Sequence, residues 1–285
     1  MPWFLFAFLS AFFESTKDVF SKKGLRIVDE YSAAFALRFF AIPFLLIFLF
    51  IVKTPQLGEQ FFPILFLGGS LNILTTVFYM KALKHSDLSI VAPIISFTPV
   101  FILITSPFIL NEFPSPMGFF GILLIVSGSY ILNIREKSKG LFVPIKALFR
   151  EKGARFMFIV AFIWSITSNL DKIGVINSSP VFWAFSQTTF IALALLPVIL
   201  RQNKKTVIHK NLKILIPIGL FSALTLIFQM TAISLAPVSY VISLKRTSVL
   251  ISVLLGFFIL KERRIKERLI GALVMILGIL FITLS

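Results

Sequence analysis

The chain has 285 residues, of which 58% are hydrophobic and 15% aromatic, 35 of them Phe, with a mean hydropathy of +0.97. A water-soluble domain of this length cannot bury so much apolar surface, so lipid must be the solvent for most of it. The net charge of +16 would suggest nucleic acid in a soluble protein, but the cations lie in short loops between apolar runs, a pattern that orients a chain in a bilayer and leaves no nucleic-acid partner to expect.

A spanning helix needs about 20 apolar residues. Taken in chain order, hydropathy predicts spans 1 to 10 at residues 3–21, 31–52, 61–82, 89–110, 117–134, 154–175, 181–200, 212–235, 238–260 and 269–284. The first apolar run has no basic leader or small-residue cleavage pattern and continues into Glu14, Lys17 and Asp18, so it reads as a permanent helix and not a signal peptide. With no Cys, neither a disulfide framework nor a thiolate metal site can form. The expected fold is all-α and integral to the membrane.

The longest loop, basic in character, divides the chain into residues 1–135, a connection at 136–153, and residues 154–285. The two halves repeat each other at an offset of 150 residues without a gap. Lys22 matches Lys172, Gly24 matches Gly174, Gly69 matches Gly219, Met80 matches Met230, Glu112 matches Glu262 and Gly121 matches Gly271. Each half carries five spans, an odd number, so the second copy must cross the membrane in the opposite sense, giving an inverted repeat with a binding site expected near the midplane between the halves.

Of the 28 Lys and Arg, 21 lie in loops after spans 1, 3, 5, 7 and 9, and only Lys53 lies in a loop on the other side. The basic side is expected in the cytoplasm and both termini outside, in a cell (plasma or inner) membrane. Six cations remain in or at the ends of spans: Lys17, Arg38, Lys81, Lys172, Lys245 and Arg246; Glu14, Asp18 and Asp171 oppose them. An ionised side chain at mid-span costs roughly 2.5–3.5 kcal/mol against lipid, so these groups must line water or pair.

Ser10, Glu14, Lys17, Asp18 and Ser21 share one face of span 1. Asn72, Thr75, Thr76 and Tyr79 do so on span 3, Ser165, Ser168, Asn169 and Lys172 on span 6, and Ser222, Thr225 and Gln229 on span 8. Four such stripes can enclose one hydrated cavity. Lys245 and Arg246 are adjacent cations deep in span 9; an ammonium beside a guanidinium fork suits a phosphate or carboxylate, against the alternative of a structural pair neutralised by Glu14 or Asp18. Arg38 is the next cation on that side, divided between anion contact and a structural salt bridge. Lys81 and Lys172 read as snorkelling to the interface.

Glu14, with Asp18, is the candidate for a proton-linked carboxylate, though Lys17 nearby argues for a plain ion pair. Glu112 and Glu262 are expected to hold the turns into spans 5 and 10. Pro93, Pro99 and Pro107 should kink span 4, whereas span 9, its counterpart, has no Pro, an asymmetry that suits a gating helix. No P-loop, Ser-His-Asp set or paired catalytic carboxylates occur, and His85 and His209 lie in loops; neither an enzyme nor a cofactor or metal is expected.

An apolar span closing on Asn111-Glu112-Phe113 and again on Lys261-Glu262-Arg263, each followed by a turn, a Gly and a fifth span, resembles the EamA repeats of the drug/metabolite transporter superfamily over the whole chain. That resemblance implies ten helices with a central cavity made by spans 1–4 and 6–9. Leu244-Lys245-Arg246 also resembles the stretch that holds phosphate in the triose-phosphate translocators of that superfamily. A further Lys of those translocators in the fourth helix, ahead of a Pro, falls here on Ile95, followed by Ser96. The outward termini depart from the inward ones usual in the superfamily.

The expected function is therefore secondary active export or exchange of a small anionic or zwitterionic metabolite by alternating access. Lys245 and Arg246 would anchor the anion, Arg38 would add a cation, and Asn72, Tyr79, Gln229 and Tyr240 would supply hydrogen bonds. A proton-coupled drug or cation exporter using Glu14, and a non-transporting membrane scaffold, are the alternatives.

Overall fold

The computed structural model describes residues 2–86, 88–133, 146, 149–202, 205–251 and 266–285, and among them all regular structure is helical. Span 1 is α1 (Pro2–Gly24). Span 2 is two helices, α2 (Glu30–Phe39) and α3 (Ile42–Ile51), and span 3 is α4 (Phe61–His85). Span 4 is also two, α5 (Leu88–Ile95) and α6 (Thr98–Leu110), and span 5 is α7 (Pro116–Asn133). The second half continues with α8 (Lys152–Ile176), α9 (Pro180–Arg201), a short α10 (Lys205–Lys210), α11 (Leu212–Leu235), α12 (Val238–Lys245) and α13 (Lys266–Thr283). Glu262, and with it the expected turn into span 10, lies outside the described residues.

Six described segments are long and apolar enough to cross a bilayer, and two shorter apolar helices, Pro116–Ile131 and Ile270–Thr283, complete spans 5 and 10. α1 has 23 residues, about 35 Å of helix, but carries Glu14, Lys17 and Asp18. Its length suffices to span; its charges need an interior. Phe50 and Phe108 are 83% and 86% exposed, as side chains facing hydrocarbon should be.

The two halves pack as the duplication requires. Gly121, early in α7, lies against the Gly278 carbonyl late in α13, while Gly128, late in α7, lies against the Gly271 carbonyl early in α13. Early meets late, so these equivalent helices run antiparallel. A Cβ at Gly128 would stand 2.6 Å from the Gly271 oxygen, so only Gly permits the approach. α1 and α11 are likewise antiparallel, with Phe6 and Phe13 against Phe228, and Phe13 and Phe20 against Phe221.

Individual contacts repeat at the same offset. Gly69 sits against the Phe190 ring and its match Gly219 against Phe40. Lys22 donates to the Ser86 carbonyl at 3.2 Å and Lys172 to the Ala236 carbonyl at 3.0 Å. Span 4 breaks at Ser96–Phe97, and span 9 breaks 150 residues later at Arg246–Thr247. At this break, within the described residues, the two spans are alike, although only span 4 carries proline. In span 9 a hydroxyl stands in for proline: Ser243 donates to the Ser239 carbonyl at 2.6 Å, a back-bond that bends helices. The next turn then tightens to i→i−3 bonds, Arg246 N–H to Ser243 and Thr247 N–H to Leu244.

Tyr240 joins both termini at one end of the molecule. Its ring lies 6.4 Å from that of Trp3 and its hydroxyl 3.1 Å from Ser285 Oγ. That end also carries Gly58, whose N–H donates to the Asn177 carbonyl. The loops after spans 1 and 3 meet at the opposite, basic end, where Lys84 pairs with Glu30 at 2.6 Å.

Candidate functional site

Spans 1, 2, 3, 6, 7, 8 and 9 surround a cavity of about 70 Å³, measured as the space open to the centre of a water molecule. That is room for roughly five to seven waters. Its charged lining is Glu14, Lys17, Arg38, Asp171, Lys245 and Arg246, four cations against two anions. Both halves of the duplication contribute, as the inverted repeat predicts.

Glu14 stands at the centre of an ion-pair cluster. Its Oε2 accepts from Lys17 Nζ at 2.7 Å, one turn along α1, and lies 3.4 Å from Lys245 Nζ, which comes from the other half. Lys17 also reaches Asp18 at 3.5 Å, and Asp18 accepts from the Tyr79 hydroxyl at 2.5 Å. Lys245 donates to Gln229 Oε1 at 2.7 Å. Lys245 and Glu14 thus meet, the pairing set out above as the alternative to an anion anchor, and Lys245 enters the cavity already partnered.

The guanidinium groups differ. Arg246 is 4% exposed, its Nε has no hydrogen-bond partner, and no carboxylate of the described residues stands within ion-pair distance. It sits where span 9 breaks, so the turn that interrupts the helix also delivers the cation to the cavity. Arg38 donates from Nε and Nη2 to Thr76 Oγ1, at 3.3 and 3.0 Å, and likewise has no carboxylate in contact. Thr76 Oγ1 in turn donates to the Asn72 carbonyl at 2.6 Å, and Asn72 Oδ1 accepts from Thr75.

Asp171 is the cavity's second carboxylate. Its Oδ1 accepts from Trp183 Nε1 at 3.0 Å and Gln187 Nε2 at 2.7 Å, both from span 7. Trp183 lies flat on Gly174, where a Cβ would come within 2.4 Å of the ring, so the missing side chain lets the indole reach the carboxylate. In the sequence Asp171 shows only as an intramembrane charge without a role; its two donors come from another span, and no local pattern announces them.

A second cavity of about 40 Å³ lies towards the basic end, between Asp18, Leu83, Val91, Ile95, Met157 and Val249. Glu14, Tyr79 and Arg246 border both cavities. Among the described residues, span 4 thus meets the second cavity and not the first.

Lys245, Arg246, Arg38, Asn72, Tyr79 and Gln229 all line the central cavity, with Glu14. Three expectations need correction. Tyr240 is not there: its hydroxyl accepts from the Ser115 N–H at 3.0 Å near the chain termini. On span 6, Ser168 lines the cavity, but Ser165 and Asn169 engage Thr105 of α6 instead, through the Ser165 carbonyl at 3.1 Å and Asn169 Nδ2 at 3.0 Å. Glu112 does not merely hold the turn into span 5, because it pairs with Lys172 and accepts from the Val238 N–H at 3.1 Å, tying the end of span 4 to span 6 and capping the start of span 9. Lys172 is therefore structural, and Lys81 lies over the Tyr31 and Phe156 rings at 5.0 and 5.8 Å. Among the described residues no cluster of His, Asp or Glu could hold a metal.

A crystal structure described only as that of a protein, 16% identical in sequence, superposes with a TM-score of 0.71 over 99% of this chain and 96% of its own. The likeness establishes a shared fold. No curated protein matches the sequence. The model of the EamA-like transporter family matches twice, at residues 1–134 and 151–284, and by these two matches, which take in nearly the whole length, the chain belongs to the EamA-like transporter family.

Proposed function

We propose that this transporter carries small anionic or zwitterionic metabolites by alternating access, binding them in the central cavity with Arg246, Lys245 and Arg38. One observation carries the reading: two buried guanidinium groups, Arg38 and Arg246, line a cavity with room for water, and no carboxylate of the described residues is in contact with either. A buried guanidinium left uncompensated is costly, and a phosphate or carboxylate is the partner its planar fork fits. Tyr79 and Gln229 add a hydroxyl and an amide beside it. The excess of cations in the lining disfavours cationic drugs, and Glu14, held by Lys17 and Lys245, is poorly placed to give up and regain a proton.

The test is uptake of labelled phosphorylated and carboxylated metabolites into proteoliposomes. Arg246→Ala should lower uptake by about tenfold or more, and Lys245→Ala should do likewise while also loosening Glu14. Transport unchanged in both variants, with folding intact, would remove the anion site.

A further inference from the structure

Asp171 of the cavity has no role in the reading above, and Arg38 is the cation to set beside it. They share one chamber and act on each other electrostatically, yet no Arg38 nitrogen lies within the 4.0 Å of an ion pair. Each is held by neutral groups from elsewhere: Arg38 by Thr76, Asp171 by Trp183 and Gln187. Asp171 is 5% exposed, and both donors fall on Oδ1, so Oδ2 makes no hydrogen bond among the described residues. A pair of opposite charges buried together would ordinarily close into contact, because separated they forgo the attraction that offsets their desolvation. Here the two scaffolds hold them apart.

We infer that this open ion pair is a two-point site for a solute carrying both signs of charge, with the solute's anionic group on Arg38 and its ammonium on Asp171. Counting Asp18 beside Lys17, the cluster holds four cations and three anions, so the best-matched guest carries one more negative than positive charge. The class is a small primary amine bearing two carboxylates or a phosphate. The inference rests on the transport reading above and adds to it a specificity-determining carboxylate.

Binding to the purified full-length protein, read by thermal stabilisation, tests it with aspartate and phosphoethanolamine, each beside its N-acetyl derivative. Acetylation removes the ammonium and keeps the anion. The amines should bind about tenfold or more tighter than their acetylated forms, and Asp171→Asn, whose carbonyl can still accept from Trp183 and Gln187, should abolish that preference without weakening the acetylated compounds. Arg38→Gln should weaken all four. Equal affinity for amine and acetylated forms in the unaltered protein, which needs no variant to fold, overturns the inference. So does a preference that survives Asp171→Asn, or a failure of both amines to bind. If metabolites without an amine are still transported in that last case, only the ammonium site falls; if Arg246→Ala and Lys245→Ala transport normally, the anion site falls by itself.

Discussion

At the scale of residues, the cavity separates charges that hold the protein together from charges left available. Glu14, Lys17 and Lys245 belong to the first kind, with side chains 4–10% exposed, and removing Glu14 leaves the buried Lys245 ammonium without a counter-charge and Lys17 with Asp18 alone, 3.5 Å away. Breaking a buried pair costs about 3–5 kcal/mol, whereas an exposed pair such as Lys84–Glu30 contributes at most about 1 kcal/mol. Glu14→Gln should therefore lower the melting temperature in detergent by roughly 6–20 °C and Glu30→Gln by less than about 4 °C. Equal shifts would mean that the central cluster is not structural. The Glu14–Lys17 pairing was legible in the sequence because both lie on one helix, a turn apart. The partners of Asp171 were not, since Trp183 and Gln187 reach it across a span boundary. Tyr240 misled for a different reason: five residues from Lys245 is about 7.5 Å of rise and about 140° of rotation, enough to place its hydroxyl by Ser115 instead of in the cavity.

At the scale of helices, the sense of the second half follows from an odd number of spans, and the sequence carries it openly. The chain has no Cys, so introduced cysteines can report the packing without background. Phe13→Cys with Phe228→Cys, and Phe20→Cys with Phe221→Cys, should form disulfides on oxidation; Phe6→Cys with Phe221→Cys should not, because Phe6 lies about two helical turns from Phe13, which does touch Phe221. Gly128→Val would drive two methyl groups into the α13 backbone and should abolish recovery of folded, monodisperse protein, while Gly58→Ala, whose nearest neighbours are side-chain atoms of Asn177, should be recovered. The break in span 4 is announced by Pro99. That in span 9 is not, because a serine hydroxyl bonding its own helix leaves no mark distinct from any other Ser in an apolar run.

At the scale of the whole molecule, both termini and the loops after spans 2 and 6 share one end, and the basic loops after spans 1 and 3 the other. From the charge asymmetry we propose that the basic end faces the cytoplasm. A single Gln56→Cys should then react with a membrane-impermeant maleimide in intact cells, and Lys210→Cys only after permeabilisation; the reverse pattern would place the termini inside. The ion cluster at Glu14 bears on how such a machine starts to move. One carboxylate oxygen is claimed from within its own repeat by Lys17 and from the opposite repeat by Lys245, so it acts as a clasp across the dividing line. On the proposed transport reading, a cargo that lured Lys245 away would by that act undo one of the ties between the two lobes, at the very place where it binds.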